Sequence, residues 1–329
     1  MFKTGLILVF ILTLLLTGCQ SEQYEKIDAK AAHIIVVNLL EKSLSFYDEK
    51  TRNEVAKWEM PYTFTGAALL PDNRTILLYG KNLKSIYLYD VLTGTPIDKW
   101  NLGKGIVNVQ ISNDDTKLYL ANQESDKILV RTVDGEHIRE IPVGADPLTI
   151  LESERLQKLY VINFSDDVIT VLDNESYEKV SEITAKLAAV GAVLVEPLEE
   201  LWMGGHGAGI EAENEVTVYS LKNGDVKQEI DAPIMPIDLE QLGDHIFVVS
   251  HGSNQLRKID RNTKEVVATI EVGANPFEIS IINDLVYIAS YDSNEIIVVD
   301  PETMTVDDIF KTGERPFQIL YNNEVLENE

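Results

Sequence analysis

The sequence predicts an all-β chain folded as a β-propeller of seven four-stranded blades, and three observations support this fold class. An apolar five-residue segment occurs seven times, with its second residue at positions 35, 77, 119, 160, 202, 247 and 287. The intervals between these positions are 42, 42, 41, 42, 45 and 40 residues. Each interval contains four strand-like segments separated by turn signals, and a four-stranded unit of this length is typical of a propeller blade.

The first 18 residues have the pattern of a secretory signal peptide. Lys3 is the only charged residue before position 22, and Leu6–Leu16 is apolar apart from Thr13. A helix of 11 residues is about 16 Å long, about half of a ~30 Å hydrocarbon core. This length favours a cleaved signal peptide over the alternative, an uncleaved membrane helix with an incidental Cys.

Leu16-Thr17-Gly18-Cys19 resembles the lipobox of bacterial lipoproteins, and Cys19 is the only Cys in the chain. The resemblance implies that residues 1–18 are removed and that Cys19 Sγ carries a diacylglyceryl group, with palmitate among the fatty acids. It also implies a lipid-anchored protein on the extracytoplasmic face of the cell membrane, or in the outer membrane or periplasm where the organism has two membranes. Two acyl chains anchor a protein stably, whereas one binds only marginally.

Residues 19–32 are predicted to be the lipidated Cys and a polar tether, which contains no Gly or Pro. If its last 13 residues are flexible, they span about 20 Å, enough to hold a domain clear of a bilayer. The domain that follows is predicted to cover residues 33–323, and residues 324–329 form an acidic tail.

The charge balance excludes some classes of partner. The chain has 28 Lys and Arg residues against 54 Asp and Glu residues, a net charge of −26, and removing Lys3 with the signal peptide makes it −27. Nucleic-acid binding needs clustered basic residues, so we expect no nucleic-acid partner. Anionic lipid headgroups repel such a surface, so the lipid anchor is the expected membrane contact. A single Cys excludes a disulfide framework and a multi-cysteine metal site.

Within each unit the elements follow a constant order. A first strand ends in a turn such as Asn113–Thr116, where Asn and Asp favour turn geometry. The recurring apolar segment is the second strand, and a third, alternating strand ends in Asp, as in Ile296–Asp300. The fourth strand, typified by Val266–Val272, leads into a Gly-x-x-Pro joint at residues 144–147, 273–276 and 313–316.

The segments Leu118–Asn122 and Leu159–Asn163, with the downstream Asp and the Gly-x-x-Pro joints, resemble the repeat of the YVTN β-propeller family. The resemblance covers about residues 33–323 and implies a β-propeller. The second unit departs from it at Tyr79-Gly80, and the third unit ends its third strand at Thr132. WD40 repeats fit less well, because no Gly-His and Trp-Asp pairing recurs at the required spacing.

The positions of the two ends predict how the ring closes. The first unit starts at its second strand, because residues 20–32 are polar. The chain ends with a segment of first-strand type that includes Phe317, Ile319 and Tyr321. We therefore predict that this segment is the inner strand of blade one, with these three side chains buried, and that it leaves no open sheet edge there.

The candidate functional rim carries the connections from the second strand to the third and from the fourth strand to the next blade. The spacing from the recurring segment to the end of the third strand is 13 residues in six units and 18 in the fifth, whose extra residues lie within 204–213. The insertion by itself favours tolerated variation in a surface loop, because insertions in loops cost little; the alternative is that this Gly-rich, acidic segment is a ligand loop. The candidate rim residues are His206, Glu211, Glu213, His251 and Tyr291.

A specific arrangement is expected around the two histidines of this rim. His206 and His251 occupy the same place in neighbouring units, so they come together if the long loop bends inward. Carboxylates nearby, from Glu211 and Glu213, would raise the pKa of a His. We expect no metal at this pair, because zinc sites need three or four ligands, and the sequence contains no pattern that predicts a cofactor.

The sequence predicts a non-enzymatic scaffold that binds a protein or a small-molecule ligand outside the cytoplasm, and we expect a monomer. The alternative is a metal-assisted lyase or hydrolase with a rim His as general base, as in some seven-bladed lyases that look similar. A quinone-dependent dehydrogenase is disfavoured, because such propellers look eight-bladed with a recurrent Trp, and this chain has three Trp residues. No nucleophile-elbow, zinc-protease or phosphate-loop pattern occurs, so the catalytic residues stay unassigned.

Overall fold

The computed structural model describes residues 23–323. The predicted signal peptide, the predicted lipidation at Cys19 and the acidic tail at 324–329 lie outside these residues. None of the helices within residues 23–323 is long and apolar enough to cross a membrane.

The described part of the chain forms 28 β-strands and two 3-10 turns, at Glu196–Leu198 and His251–Ser253. In the first three blades the strands are β1 (His33–Asn38), β2 (Ser43–Asp48), β3 (Glu54–Glu59), β4 (Gly66–Leu69), β5 (Thr75–Tyr79), β6 (Ser85–Asp90), β7 (Thr95–Asn101), β8 (Ile106–Ile111), β9 (Lys117–Asn122), β10 (Lys127–Thr132) and β11 (His137–Pro142). In the next two blades they are β12 (Pro147–Ser153), β13 (Lys158–Asn163), β14 (Val168–Asp173), β15 (Lys179–Thr184), β16 (Ala189–Val195), β17 (Glu200–Gly205), β18 (Glu215–Ser220) and β19 (Val226–Asp231). The last strands are β20 (Pro236–Leu242), β21 (His245–Ser250), β22 (Gln255–Asp260), β23 (Val266–Glu271), β24 (Pro276–Ile282), β25 (Leu285–Ser290), β26 (Glu295–Asp300), β27 (Thr305–Lys311) and β28 (Pro316–Asn322).

These strands form seven four-stranded antiparallel sheets, so the predicted seven-bladed all-β propeller is confirmed. In blades 2 to 7 four consecutive strands run in order from the central channel to the outer wall. Blade 1 has the order β28-β1-β2-β3, in which Leu320 lies opposite Ile35 and Ile319 opposite Val36. The C-terminal strand therefore closes the ring, as predicted.

The predicted burial of the closing strand is only partly right. Ile319 is 3% exposed, whereas Phe317 and Tyr321 are half-buried. The difference arises because β28 is the innermost strand of its blade, and Phe317 and Tyr321 line the central channel rather than the space between two sheets.

The core lies between adjacent blades, and the second strand of each blade is its most buried element. Its aromatic and aliphatic residues have almost no exposed surface because they meet neighbouring sheets on both faces. The large side chains at the recurrent second position pack in this core, namely Tyr119, Tyr160, Trp202, Phe247 and Tyr287. These rings are structural, which agrees with their placement on a doubly buried strand.

The Asp that ends most third strands holds the following turn. Asp90 Oδ1 accepts hydrogen bonds from the backbone N–H groups of Leu92 (2.9 Å) and Thr93 (3.2 Å). Asp260 and Asp300 bind the equivalent N–H groups in their own blades. A carboxylate at this place satisfies turn N–H groups that have no sheet partner, which explains why the repeat ends in Asp.

The segment 23–32, predicted to be a free tether, lies instead on the outer side of blades 1 and 2. The Tyr24 ring stacks on the Trp58 ring with centroids 5.2 Å apart, and the Tyr24 N–H donates to the Gly94 carbonyl at 2.8 Å. The Trp58 Nε1–H donates to the Glu25 carbonyl at 2.8 Å, and Ile27 is 7% exposed. The apolar side chains of Tyr24 and Ile27 bring this polar segment onto the body. We call it the N-terminal clasp.

Candidate functional site

The upper rim, as defined here, carries the connections from second to third strands and from fourth strands to the next blade. The loops between second and third strands contain four or five residues, except in blade 5, where residues 206–214 connect β17 to β18. The Glu213 N–H donates to the His206 carbonyl at 3.1 Å, so residues 207–212 protrude beyond a closed base. Ile210, near the tip of this loop, is fully exposed.

His206 and His251 lie together at the base of this loop. Their ring centroids are 5.8 Å apart, with planes at 85°. Each ring is positioned through its backbone: the His206 N–H donates to the Ala188 carbonyl and the His251 N–H to the Met235 carbonyl, both at 3.0 Å. The structure therefore brings the two predicted histidines together, although the loop tip itself projects away from them.

The histidines belong to a longer series of aromatic rings along the upper rim. Phe164 lies 6.3 Å from His206, and Phe277 lies 5.2 Å from His251, measured between ring centroids. Phe277 also contacts Tyr291 at 5.4 Å and Phe317 at 4.7 Å. We call these six rings the ring arc; its members are Phe164, His206, His251, Phe277, Tyr291 and Phe317.

The predicted electrostatics of the histidine pair are wrong. Burial lowers the pKa of the His206 imidazole below its ordinary value. Burial and the neighbouring His206 also lower the pKa of His251, against a smaller opposing effect of Asp292. Both rings are therefore neutral at pH 7. His251 Nδ1 is buried and has no hydrogen-bond partner within the described residues.

The two predicted glutamates do not approach these imidazoles. The Glu213 carboxylate pairs with Lys186 Nζ at 3.3 Å, and the same ammonium group pairs with Glu215 and Glu229. Glu211 lies on the exposed part of the loop. The acidic side of the loop thus faces Lys186 and solvent, which is why neither Glu211 nor Glu213 raises the pKa of either His.

Tyr291 joins the ring arc to a cation. The Arg315 guanidinium carbon lies 5.2 Å from the centre of the Tyr291 ring, a cation–π contact. Arg315 is exposed and adopts a left-handed backbone with φ 60°. It precedes Pro316, and the residues at the same place in two other joints are Asp146 and Asn275, types that tolerate this conformation better.

The central channel begins beside the ring arc. It has a volume of about 820 Å³, and Phe277 and Phe317 are among its lining residues. A belt of polar side chains from the inner strands crosses the channel, and each of these side chains binds the inner strand of the next blade. Two of these side chains donate to a backbone carbonyl: Asn108 to Leu148 and Thr149 to Val190. The other three accept from a backbone N–H: Gln318 from Ala67, Asp238 from Ile279 and Glu278 from Ile319.

Blade 2 departs from this belt because its inner strand has Gly66 at the corresponding position. Any side chain there would collide with the Tyr79 ring, since a Cβ on Gly66 would overlap the phenol carbons. The Tyr79 phenol is fully buried and faces the Val109 N–H and the Gln318 side chain. A phenol reaching in from the second strand therefore occupies the place that five blades fill from the first, whereas blade 5 has Gly191 at this position.

Three carboxyl groups lie on one wall of the channel, in blades 6 and 7. Burial raises the pKa of Asp238 to about 6, and burial together with the nearby Asp238 raises the pKa of Glu240 to about 8. Burial, with Asp238 and Glu240 nearby, also raises the pKa of Glu278 well above its ordinary value. Within residues 23–323, no group of three or more His, Cys, Asp or Glu side chains is arranged to hold a metal ion.

Sequence reasoning did not assign Phe277, Phe317 or Arg315 to the candidate site, and it named Phe317 only as a buried residue of the closing strand. Each lies next to the Pro of a Gly-x-x-Pro joint, and only these two described joints place an aromatic residue directly after that Pro. An aromatic residue directly after the Pro was the signal in the sequence that could have found Phe277 and Phe317. It could not show that these two side chains meet, because their contact depends on how the last two inner strands of the propeller pack side by side.

Exposed apolar side chains also distinguish the two rims. Thirteen large apolar side chains are exposed within the described residues, and nine of them lie on outermost strands. The other four all lie on the upper rim: Leu40, Leu187, Ile210 and Ile234. The opposite rim carries none of these thirteen side chains.

Comparisons with known proteins identify the fold and no family. No family model matches the chain, and no curated protein matches it in sequence. The resemblance to the YVTN repeat family therefore stays a prediction.

Solved structures with this fold share little sequence with the chain. A functionally unknown protein from Desulfotomaculum acetoxidans DSM 771 has a TM-score of 0.72 at 11% identity, over 88% of this chain and 98% of that one. The dihydro-heme d1 dehydrogenase NirN in complex with DHE has a TM-score of 0.66 at 12% identity, over 93% and 78%. Apo AztD from Citrobacter koseri has a TM-score of 0.62 at 11% identity, over 89% and 98%.

Proposed function

We propose that this chain is a lipid-anchored binding scaffold of the cell envelope, which holds a ligand or a protein partner outside the cytoplasm on its upper rim. The binding sector extends over blades 4, 5, 6, 7 and 1, where the ring arc lies. The proposal describes a monomeric scaffold without a catalytic step.

The observation that carries the proposal is the location of exposed apolar and aromatic groups. Outside the outermost strands, every exposed large apolar side chain of residues 23–323 lies on the upper rim. The ring arc lies on the same rim, at the entrance of the channel. Binding sites combine apolar surface with a few polar groups on a rigid support, and the neutral, unpartnered Nδ1 of His251 and the Arg315 guanidinium are such groups.

The membrane part of the proposal rests on the sequence. Cys19 ends a lipobox-like segment, and no other Cys is present to take the lipid. Tyr24, where the N-terminal clasp packs on the propeller, follows Cys19 by five positions, so the extended chain between them reaches about 17 Å. A lipid at Cys19 would therefore hold the propeller close to the bilayer.

The alternative of a metal-assisted lyase or hydrolase receives less support. The two imidazoles are neutral and adjacent, as a general base would require, yet the described residues provide no third metal ligand beside them. NirN, whose structure contains DHE, illustrates ligand binding by a chain of related fold; this likeness supports a binding role only by analogy.

The binding site is tested by a thermal-shift screen of small molecules and peptides against the mature chain carrying Cys19→Ser. Ligands that raise the melting temperature of this chain are tested again with the His206→Ala/His251→Ala variant. The matched control is His137→Ala, because His137 is exposed on an outermost strand away from the ring arc. We expect shifts to be lost with the double variant and kept with the control. Shifts that survive in the double variant would place the site elsewhere on the propeller.

The anchor is tested separately with radiolabelled palmitate. We expect label and membrane retention in the wild-type chain and neither in Cys19→Ser. Label in the Cys19→Ser chain would show that this segment is not the lipidation site.

A further inference from the structure

We propose that the upper-rim ligand is a planar aromatic anion, whose ring system lies against Phe277, Phe317 and Tyr291 while its negative group pairs with Arg315. This inference rests on the proposed upper-rim binding site and names the chemical class that the site selects.

The aromatic part of the inference rests on the geometry around Phe277. This ring contacts three others, at centroid distances of 4.7 Å to Phe317, 5.2 Å to His251 and 5.4 Å to Tyr291. All four rings are only half-buried, so each keeps part of its surface for another ring. Aromatic pairs at about 4.5–7 Å stabilise a contact by more than the area that they bury. A flat ring system is the group that gains most from such a surface.

The anionic part rests on Arg315. The protein carries a net charge of −26. Of the other seven arginines, four form ion pairs with carboxylates, two donate to neutral oxygens, and one, Arg139, forms no ion pair with a described residue; the four paired ones are Arg52, Arg74, Arg155 and Arg261. Arg315 forms no ion pair with any described residue and keeps its guanidinium over Tyr291. A guanidinium presents a planar set of N–H donors that matches carboxylate, sulfonate and phosphate groups.

The backbone at Arg315 supports the same conclusion. The residue has φ 60°, a conformation that costs an ordinary side chain free energy and that Asn and Asp accept more readily. This place holds Asn275 and Asp146 in two other joints, and Ala188 and Met235 in two more, all with positive φ. Among these residues Arg315 is the one that brings a cation to the rim, which is explained if its side chain serves a ligand.

The channel fixes the orientation of the ligand. Phe277 and Phe317 line the upper part of the channel, and the carboxyl groups of Asp238, Glu240 and Glu278 lie on its wall. None of the described residues that line this channel is Lys, Arg or His, whereas Arg315 lies outside the channel. The ring system therefore faces the channel entrance, and its anionic group points outward to Arg315.

The experiment uses 1-naphthoate as the probe and the mature chain carrying Cys19→Ser, with binding measured by calorimetry. The neutral probe 1-naphthalenemethanol and the non-aromatic anion cyclohexanecarboxylate are measured beside it. We expect 1-naphthoate to bind at one site, about fivefold or more tighter than either comparison compound.

Two arginine variants separate the charge from the fold. Arg315→Asn places at this joint the residue type that Asn275 provides in another joint, so the melting temperature of the variant is expected to stay equal or rise. Its affinity for naphthoate is expected to fall about five- to tenfold, while its affinity for naphthalenemethanol stays the same. Arg139→Gln removes a charge from an exposed outermost strand and is expected to change neither affinity by more than about twofold. Phe317→Leu is expected to weaken both naphthyl compounds.

The results also separate this inference from the proposed function. Equal affinity of Arg315→Asn and wild type for naphthoate, or no preference for naphthoate over the other probes, would overturn the ligand class. If the thermal-shift screen then yields ligands that depend on His206 and His251 but are neutral or non-aromatic, the upper-rim function stands. If every ligand is independent of those histidines, both proposals are wrong.

Discussion

At the scale of single residues, the same side-chain type has opposite effects on stability in two places. Carboxylates that end the third strands accept turn N–H groups, and these hydrogen bonds lower the pKa of Asp260 and Asp300. The channel carboxyl Glu240 is desolvated and has Asp238 beside it, so its pKa rises to about 8. The first group favours the folded protein at neutral pH, and the second opposes it.

We expect Glu240→Gln to stabilise the protein at pH 8. The folded state keeps a proton on Glu240 that the unfolded state loses above a pKa of ~4.3, so this group lowers stability as pH rises from there to about 8. Chemical denaturation at pH 5 and pH 8 measures the difference. The free energy of unfolding should fall less from pH 5 to pH 8 in Glu240→Gln than in the wild type. In Glu178→Gln, a change at an exposed site, it should fall as much as in the wild type. An unchanged decline in Glu240→Gln would show that this carboxyl is solvated.

We expect Asp90→Ala to destabilise the protein by about 2 kcal/mol, because Leu92 and Thr93 N–H groups and Arg74 lose their acceptor. Asp90→Asn is the matched control, since its amide oxygen still accepts the turn N–H groups. The pKa of Asp90 is lowered by Arg74 and the turn N–H groups, against burial, so its contribution is lost as pH falls through that pKa. Urea denaturation at pH 7 and pH 3 should show a larger gap between wild type and Asp90→Ala at pH 7.

The residue scale also shows what the sequence could and could not predict about the site. His206 and His251 were found because the repeat places them at equivalent positions. Their pKa direction was wrong, because Glu213 turns toward Lys186, a residue that reaches it from the preceding joint. The direction of a side chain in a loop depends on such partners, and the spacing of residues along the sequence does not show which residues these are.

At the scale of elements, the strands were predictable and the segments outside them were not. A second strand buried on both faces has a continuous apolar sequence, so all seven could be recognised. The N-terminal clasp has two apolar anchors, Tyr24 and Ile27, in an otherwise polar stretch, and no period marks them. Its position depends on Trp58 and Gly94, which belong to two different blades.

We expect Tyr24→Ala to loosen the clasp and lower stability by about 2–4 kcal/mol, because a stacked and largely packed ring is removed. Trp58 is fully buried beneath it, so its fluorescence should shift to longer wavelength in the variant. Lys26→Ala, an exposed change in the same segment, is the control. Unchanged emission and melting temperature in Tyr24→Ala would show that the clasp does not contribute to stability.

The long loop of blade 5 can be shortened without touching its base. Deleting residues 207–211 leaves His206 and residues 212–214, a loop of the four-residue length found in most other blades. We expect the melting temperature to stay within about 2 °C, because the deleted residues lie on an exposed loop. A partner that contacts Ile210 should bind more weakly, because the exposed apolar tip is lost. Photo-crosslinking from position 210 identifies such a contact. Unchanged binding after the deletion would make this loop surface variation.

At the scale of the whole molecule, the ring was predicted because its closure is an arithmetic property of the repeat. A first unit without an inner strand and a last segment of inner-strand type must pair if the ring is to have no open edge. The meeting of Phe277 and Phe317 follows from that closure as well, yet it needs the tilt of two blades, which no local sequence pattern supplies.

We expect deletion of residues 314–329 to yield an unfolded or aggregating chain. Ile319 and Leu320 are lost from the apolar clusters on the two faces of blade 1, Phe317 is lost from its contact with Phe277, and β1 loses its inner partner. Each large apolar side chain contributes about 1.5–3 kcal/mol, against a total stability of about 5–15 kcal/mol. Circular dichroism and size-exclusion chromatography measure the result. A monomeric variant with the wild-type melting temperature would show that β28 is dispensable.

The pairing of β28 with β1 also sets the timing of maturation. The two strands are joined by nearly the entire length of the domain, so the last contact to form connects the earliest and latest strands to leave the ribosome. Such long-range pairing is slow, because the intervening chain must be ordered first. During folding, one edge of β1 therefore stays unpaired until the C-terminal strand is available. Slow folding of any later blade lengthens the time for which this edge of β1 is open to pairing with another chain. A chaperone that covers the edge would therefore reduce aggregation whichever blade folds slowly.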